Sequence, residues 1–404
     1  MLRVLTIASL FPDATRPNFG VFVERQTLGL AAHPDVDLRV VAPIGLPPWP
    51  FNQHRHYADL AALPRRDEWR GLTVWRPRFA TLPGTGGRWH VAALVHALRP
   101  LLTDIRRDFP FDIIDAEFFF PDGPAATLLA REFGVPVSIK ARGADIHHWG
   151  IGPTAAQVIA AGQAADGLLA VSEAMRTDMA AIGLPAQSIR VHRTGVDLAR
   201  FVPVDRVAAK AALGIVGPLI MSVGALVARK GHDLVIEAMA ALPYATLLIA
   251  GEGPERPQLM RRIAALGLSS RVRLLGAVAH SELPSLIAAA DVMALASASE
   301  GLANAWVEAL ACGTPIVVTG AGGAHEVVTD PAYGRIAVRT PAGFAQAIAD
   351  VIAEAPSPDR VRRGAADFTW EANTASLYDH LAGLVANRAE AIAAIDERKR
   401  FSRN

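Results

Sequence analysis

A single cysteine, Cys312, stands among 404 residues, so the chain can close no disulfide within itself. That fits a reducing compartment. No cluster of cysteines and histidines has zinc-ligand spacing. A surplus of one charge is also missing. The 40 Lys and Arg residues face 39 Asp and Glu, leaving a net charge of +1, which gives no global pull toward a polyanion. No run of 18 apolar residues occurs, so no spanning helix is expected. Features of a secretory signal are absent. The apolar run 4–10 is short, and Phe11-Pro12-Asp13 follows it without a small-residue cleavage site. The run reads as a buried first strand, and the expected location is cytoplasmic. Apolar residues make up 51% and charged residues 20%, which excludes a wholly disordered chain. At roughly 100–200 residues per domain, the length suggests about two or three domains.

Short β-branched runs alternate with alanine-rich stretches. Residues 4–8, 38–42, 113–116, 135–140 and 167–171 read as strands of a first half. Residues 219–223, 245–250, 272–275, 292–295 and 315–319 read as strands of a second. None alternates strictly polar and apolar, as expected of parallel strands buried on both faces. The rhythm is βαβ, and it predicts a doubly wound sheet in each half. Gly214 and Gly217-Pro218 punctuate a boundary region at 197–217. Pro356-Ser357-Pro358 breaks the second half near its end, before a long alanine-rich helix. Two such halves imply a ligand cleft between them.

Three loops of the second half follow predicted strands, at the carboxyl ends where open α/β sheets bind ligands. Gly224-Ala225-Leu226-Val227-Ala228-Arg229-Lys230-Gly231 brings two cations to a helix start. Fixed positive charge and free N–H groups there suit a diphosphate; a solvated Arg-Lys pair is the alternative. Gly251-Glu252-Gly253-Pro254-Glu255 is a glycine-bearing turn into a helix starting near Glu255. In the third loop, Asn304 is expected to cap a helix and Gly313 to follow its end. Glu300 and Glu308, eight residues apart, are placed to grip two parts of one ligand, such as a sugar hydroxyl and a ribose. Gly301 and nearby N–H groups would face its phosphates. Trp306, Val307 and Leu310 surround Glu308 in sequence, so the lone carboxylate calls for a partner; an ordinary helix-surface acid is the alternative.

Glu300, Gly301, Asn304, Glu308, Gly313 and Pro315 resemble the Glu-x7-Glu signature of retaining GT-B glycosyltransferases. In particular they resemble the large family-four group, which uses nucleotide-activated sugars. Phe11-Pro12 to Gly20-Val21-Phe22-Val23, Arg142-Gly143-Ala144-Asp145, Val171-Ser172-Glu173 and Gly195-Val196-Asp197 to Phe201 follow in that group's order. Arg229-Lys230-Gly231 and Gly322-Gly323 to Glu326 continue it, over almost the whole chain. The resemblance implies an α/β fold of the GT-B kind, two Rossmann-like domains facing a cleft. The C-terminal helix returns to the first domain, so 1–198 goes with 381–404, and 199–380 forms the nucleotide-sugar domain. By the same resemblance Arg229 and Lys230 bind the diphosphate and stabilise the leaving group. Glu308 holds the ribose hydroxyls and Glu300 contacts the transferred sugar. Glu252, Gly301, Leu302, Ala303 and Asn304 line the donor site, the loop from Gly276 to His280 edges the base, and Gly20 approaches the phosphates. No metal or other cofactor is implied, since cations and helix dipoles take the ion's place. Asp35-Val36-Asp37 has the Asp-x-Asp form of metal-dependent sugar transferases of another fold, but reads here as a turn. Two departures stand out. Ala225 occupies a position where the family often has arginine, which leaves Arg229 to serve. Arg142 occupies one where it often has histidine, and a guanidinium stays protonated and cannot act as a base.

In the first half, Asp122, Asp145, His147 and His148 are catalytic candidates, and either aspartate is placed to orient an acceptor hydroxyl; a loop-capping role is the alternative for each aspartate. Residues 54–107 hold ten arginines and four acids, with Trp69, Trp75 and Trp89 among them. A helical stretch there has Trp89, Leu94, Val95 and Leu98 near one face and is interrupted by Pro100. This suits peripheral contact with an anionic membrane and a lipid-linked acceptor; a solvated arginine face is the alternative. No nucleic-acid motif accompanies the charge. The expected activity is transfer of a sugar from a nucleotide diphosphate donor, UDP favoured over GDP. The acceptor is a glycan or lipid-linked saccharide of a surface polysaccharide. A sugar-nucleotide epimerase of the same architecture and a non-catalytic nucleotide-sugar or glycan-binding module are the rivals. A dinucleotide dehydrogenase is disfavoured, because no Gly-x-Gly-x-x-Gly follows the first strand.

Overall fold

The computed structural model describes residues 1–401. Residues 402–404, part of the segment 381–404 expected with the first domain, lie outside the described residues, as do the side chains of 55, 56 and 395–401. The chain forms two compact units. One is Met1–Arg193 with the chain from Glu371 on, and the other is Thr194–Trp370.

The first unit contains β1 (Leu2–Ile7), β2 (Val36–Val41), β3 (Ile44–Leu46), β4 (Arg66–Trp69), β5 (Leu72–Trp75), β6 (Arg78–Ala80), β7 (Ile113–Ala116), β8 (Val137–Ala141), β9 (Gly167–Ala170) and β10 (Ile189–Val191). Its main sheet runs β10-β9-β8-β7-β1-β2-β5-β4, and β3 pairs separately with β6. All these pairs are parallel except β4 with β5. β7, β8 and β9 are buried at every residue, which explains their unbroken apolar pattern. Asp35 ends the turn between the helix Val21–Ala31 and β2, as expected, while Val36 and Asp37 open β2, and both carboxylates are exposed.

Val4, Val40 and Ile113 of this sheet pack with Val23 and Leu30 from the helix Val21–Ala31 and with Leu377 and Leu381 from the C-terminal helix Trp370–Phe401. That helix is continuous and is tied to the first unit from its second turn. Asn373 Nδ2 donates to Arg193 O at 2.6 Å, and His380 Nε2 lies 3.1 Å from Ser138 Oγ. The boundaries expected at 198/199 and 380/381 therefore move to 193/194 and 370/371. Pro100 does not interrupt its helix, which runs from His90 to Asp108. The proline stands on the exposed side, and the helix continues past the hydrogen bond it cannot donate.

The second unit contains β11 (Leu219–Val223), β12 (Thr246–Ala250), β13 (Val272–Gly276), β14 (Val292–Leu295), β15 (Ile316–Val318) and β16 (Gly334–Ile336). They form one parallel sheet in the order β13-β12-β11-β14-β15-β16. Ile220, Ile249, Val292 and Val317 meet Val235, Leu259, Phe344 and Ile348 from the covering helices. Strand order reverses between β11 and β14, and the crevice outside the carboxyl ends at such a reversal is where open α/β sheets take ligands. No helix among the described residues is long and apolar enough to cross a membrane.

Candidate functional site

The loops after β11 and β14 flank that reversal. The first carries Arg229 and Lys230 and enters the helix His232–Ala238 through Gly231. Beside it, Gly251-Glu252-Gly253-Pro254 leads from β12 to the helix Arg256–Ala265. The two loops brace each other through their backbones. Leu226 N donates to Glu252 O at 2.9 Å, and Glu255 N to Leu226 O at 3.0 Å. A Cβ on Gly251, at φ 154°, would lie 1.8 Å from Gly224 O, so this contact requires glycine.

Glu300, on the loop after β14, is 7% exposed. A carboxylate so far from water needs partners. Lys230 Nζ donates to its Oε1 at 2.5 Å and Ser297 Oγ at 2.7 Å, while Arg229 Nη1 stands 3.8 Å from Oε2. The Lys230 side chain is 13% exposed and that of Arg229 45%. Lys230 thus spends one of its three donors on Glu300, and Arg229 extends into solvent. Ala225, where an arginine was expected by resemblance, is exposed.

Gly301 is held from behind, since Gly323 N donates to its carbonyl at 2.8 Å. Leu302 and Ala303 are buried. The next helix is Asn304–Ala311, and Ala303 occupies its cap position with no side-chain cap hydrogen bond. Asn304 is therefore the first helical residue rather than the cap, because the extended backbone that a cap needs belongs to Ala303. Gly313, at φ 72°, follows the helix end as expected. Glu308 sits one turn in, half-buried, with Trp306 and Leu310 buried beside it. His280 Nε2 lies 3.0 Å from Glu308 Oε1. Gly276 closes β13, and Glu252 is largely exposed with Arg256 Nη1 at 3.7 Å. Neither Ser297 nor Arg200, which reaches His280, stands out in the sequence, because a serine or an arginine at a loop is common and their partners lie far along the chain.

In the first unit, Asp122 and Asp145, the candidates to orient an acceptor hydroxyl, are fully buried. Asp122 Oδ2 accepts from Ser9 N at 2.7 Å, and burial pushes its carboxyl up to about 7. Asp145 accepts from the amides of Gly143 at 2.7 Å, Arg142 at 2.9 Å and Phe119 at 3.2 Å. Burial also raises its carboxyl. Both fasten loops at carboxyl ends of strands. His147 Nε2 lies 2.8 Å from Asp178 Oδ2. Gly20 caps the helix Val21–Ala31 at φ 75°, where a Cβ would meet Leu10 O at 2.4 Å.

Among the described residues of the basic stretch 54–107, Arg65, Arg66, Arg70, Arg88, Arg99 and Arg107 are exposed and only Arg76 is buried, as a solvated arginine face would have it. Buried Arg76 pairs with Asp67 at 3.1 Å, Arg70 Nε lies 3.2 Å from Glu24, and Arg99 Nη2 lies 2.7 Å from Glu132. Leu94, Val95 and Leu98 belong to the interior, so the apolar face of that helix covers its own unit. Trp89, at the helix cap, is exposed, as are Trp49 and Phe51. Among the described residues, no group of three or more His, Cys, Asp or Glu is arranged to hold a metal ion.

Two family models match this chain, "Glycosyl transferases group 1" over residues 209–368 and "Glycosyltransferase Family 4" over residues 22–200. D-inositol 3-phosphate glycosyltransferases of Mycobacterium bovis and Mycobacterium tuberculosis are 39% identical over 209 residues, which is 48% of this chain and 43% of theirs. The chain thus spans less than half the length of these curated relatives. Sucrose-phosphate synthase from Thermosynechococcus elongatus aligns with a TM-score of 0.81 at 20% identity, covering 96% of this chain and 100% of that one. Anabaena HepE, solved with UDP and glucose, aligns with a TM-score of 0.70 at 20% identity, covering 95% and 100%. At these identities the structural likeness is one of fold.

Proposed function

Because the chain belongs to the GT-B glycosyltransferase superfamily, we propose that it is a retaining glycosyltransferase. It moves a sugar from a nucleotide diphosphate donor, UDP in preference to GDP, to a glycan or lipid-linked saccharide acceptor of a surface polysaccharide. The observation that carries this reading is the meeting of Arg229, Lys230 and Glu300, with Glu308 one helical turn beyond the loop, at the β11/β14 reversal. The UDP and glucose held by HepE support the choice of donor.

Lys230 and Arg229 bind the diphosphate and stabilise the charge that develops on it as it leaves. First-turn amides of the helix Asn304–Ala311 add to that field, as helix starts do for phosphates. Glu300, held by Lys230 and Ser297, contacts the sugar, and Glu308 takes the ribose hydroxyls. Gly276, Glu252 and Gly301 to Asn304 line the donor. No metal enters the scheme, since the two cations supply the positive charge. The acceptor oxygen attacks the anomeric carbon on the face the phosphate leaves, and the departing phosphate oxygen takes the acceptor proton, so configuration is retained. Asp122 and Asp145 act by holding loops. Trp49, Phe51 and Trp89 are exposed, and such aromatics would serve peripheral contact with a membrane carrying the acceptor.

The test is turnover of UDP- and GDP-sugars with saccharide acceptors, with the anomeric configuration of the product read by NMR and a chelator present or absent. Retained configuration and indifference to chelator are expected. Glu300→Ala should lower kcat roughly 100-fold or more, and Glu308→Ala should weaken nucleotide binding roughly tenfold. Unchanged turnover in both variants would overturn the site. Epimerised donor without transfer, or binding with neither transfer nor hydrolysis, would overturn the activity.

A further inference from the structure

His280 occupies a position between Glu308 and Arg200 that neither helix nor strand pattern foretells. Its Nε2 lies 3.0 Å from Glu308 Oε1. Arg200 Nη2 donates to its Nδ1 and also to its carbonyl oxygen. Phe201 packs against the imidazole edge-on at 5.7 Å between ring centres. A guanidinium has donors and no acceptor. Nδ1 must therefore accept, which places the ring proton on Nε2, from where it is donated to Glu308. The arginine thus sets the tautomer. Arg200, His280 and Glu308 are all half-buried. Among the described residues, no other hydrogen bond to the Glu308 carboxylate is present.

We propose that Arg200 and His280 form a positioning relay that aims the Glu308 carboxylate at the donor's vicinal ribose hydroxyls, so that the site selects ribonucleoside over deoxyribonucleoside diphosphates. This rests on the reading of the site as one for a nucleoside diphosphate. A glutamate has three rotatable side-chain bonds, and a carboxylate receives two adjacent hydroxyls only when its plane is set. A hydrogen bond from His280 to Oε1 sets that plane and leaves Oε2, with the second lone pair of Oε1, facing the hydroxyls. A ring that accepts from Arg200 brings no charge of its own, so the carboxylate keeps its full attraction for hydroxyl donors. Arg200 holds the residue at two points, the ring nitrogen and the backbone carbonyl, so a flip of the imidazole loses the hydrogen bond at Nδ1 while the guanidinium stays anchored to the carbonyl. His280 and Arg200 are positioning residues, since Glu308 is the group that touches the sugar.

The experiment is calorimetric titration of the full chain with UDP, 2′-deoxy-UDP and 3′-deoxy-UDP, with GDP and its deoxy forms as the second series. Wild type is expected to prefer the ribonucleotide about tenfold or more, as loss of one hydrogen bond to a charged group gives. His280→Phe should bring that preference close to one while leaving affinity for the deoxynucleotides within about twofold. Arg200→Gln should lower it in part, because the ring then loses its anchor. His280→Gln, whose amide can still donate to Glu308, should restore part of it. Adding His280→Phe to Glu308→Gln should cost nothing further, as expected of residues acting through one group. The relay is overturned if Glu308→Gln abolishes the preference while His280→Phe keeps it, or if His280→Phe weakens ribo and deoxy ligands alike. Binding of no nucleoside diphosphate by folded wild type would instead overturn the reading of the site, and the relay with it.

Discussion

At the carboxyl end of the first unit's sheet, Asp115, Glu117 and Lys140 are shut away from solvent, with Arg142 almost as closed. At the same end of the second unit's sheet, Arg229, Lys230 and Glu308 keep a path to water around the buried Glu300. In the first set the charges answer one another. Lys140 Nζ lies 2.5 Å from both Gln26 Oε1 and His192 Nδ1, and Arg142 pairs with Glu117. Burial holds the Lys140 ammonium well below its ordinary value. Burial, then the neighbouring Glu117, pushes the Asp115 carboxyl well above its own. Displaced protonation therefore gathers in the first unit, where the groups that carry it are enclosed. In the second unit, one side of each cation or acid faces a partner and the other faces out. Charge that is held on one side can bind an arriving phosphate or hydroxyl at little cost in new desolvation. Perturbed protonation points to a site only where there is also access.

The largest effect that would break this contrast is in the closed set. Lys140→Met leaves Gln26 and His192 without their shared donor and Asp115 and Glu117 without a neighbouring cation, and should cost about 3–5 kcal/mol of stability in urea unfolding. Donor affinity of the folded fraction should not change. A variant as stable as wild type would show that the closed set is not interdependent.

Asp122 sharpens the same point through pH. Its carboxyl is held up to about 7 against an ordinary 3.8. Between those values the native chain keeps a proton that the unfolded chain has lost, so this group's favourable contribution is complete below about pH 4. It is lost as pH rises to 7. Asp122→Asn can still accept from Ser9 N and removes the titration. Its stability relative to wild type should climb by up to about 4 kcal/mol between pH 4 and pH 8. A difference independent of pH would mean that the carboxyl titrates normally.

In the open set the effect moves from stability to binding. Lys230→Met should weaken diphosphate binding by about 2–3 kcal/mol, the worth of a charge-assisted hydrogen bond. A smaller loss of stability should accompany it, from a Glu300 left to Ser297 and Arg229. Unaltered affinity for UDP and GDP would contradict the diphosphate role. Arg99→Ala, which breaks an exposed pair with Glu132, should leave the unfolding midpoint unmoved.

Strands buried on both faces were legible residue by residue. The expected runs 113–116, 219–223 and 292–295 match β7, β11 and β14 end to end. The hairpin of β4 and β5 was not legible, because Arg66-Asp67-Glu68-Trp69 is a charged edge strand and carries no apolar signal. Its turn uses Arg70 at φ 50° and Gly71 at φ 84°, a pairing that only the backbone reveals. The exposed arginines of 54–107 were legible as a charged face, but their partners were not, since Glu24 and Glu132, which pair with Arg70 and Arg99, lie outside that stretch. At the candidate site, Glu300, Glu308, Arg229 and Lys230 could be singled out from spacing and resemblance. Their pairings could not, for Lys230 and Glu300 are 70 residues apart and Arg200 and His280 are 80 apart.

By itself, then, the order of residues determined the βαβ rhythm, the two parallel sheets and the loops on which charge would stand. Each of these is written in apolar periodicity and glycine placement within a few neighbouring residues. Tertiary structure decided which of those charges are open and which are sealed, where Asp122 holds its proton, and that His280 rather than a lysine faces Glu308. Desolvation and hydrogen bonding depend on what distant segments bring within about 3 Å of an atom, and that proximity is set only when the sheets are assembled.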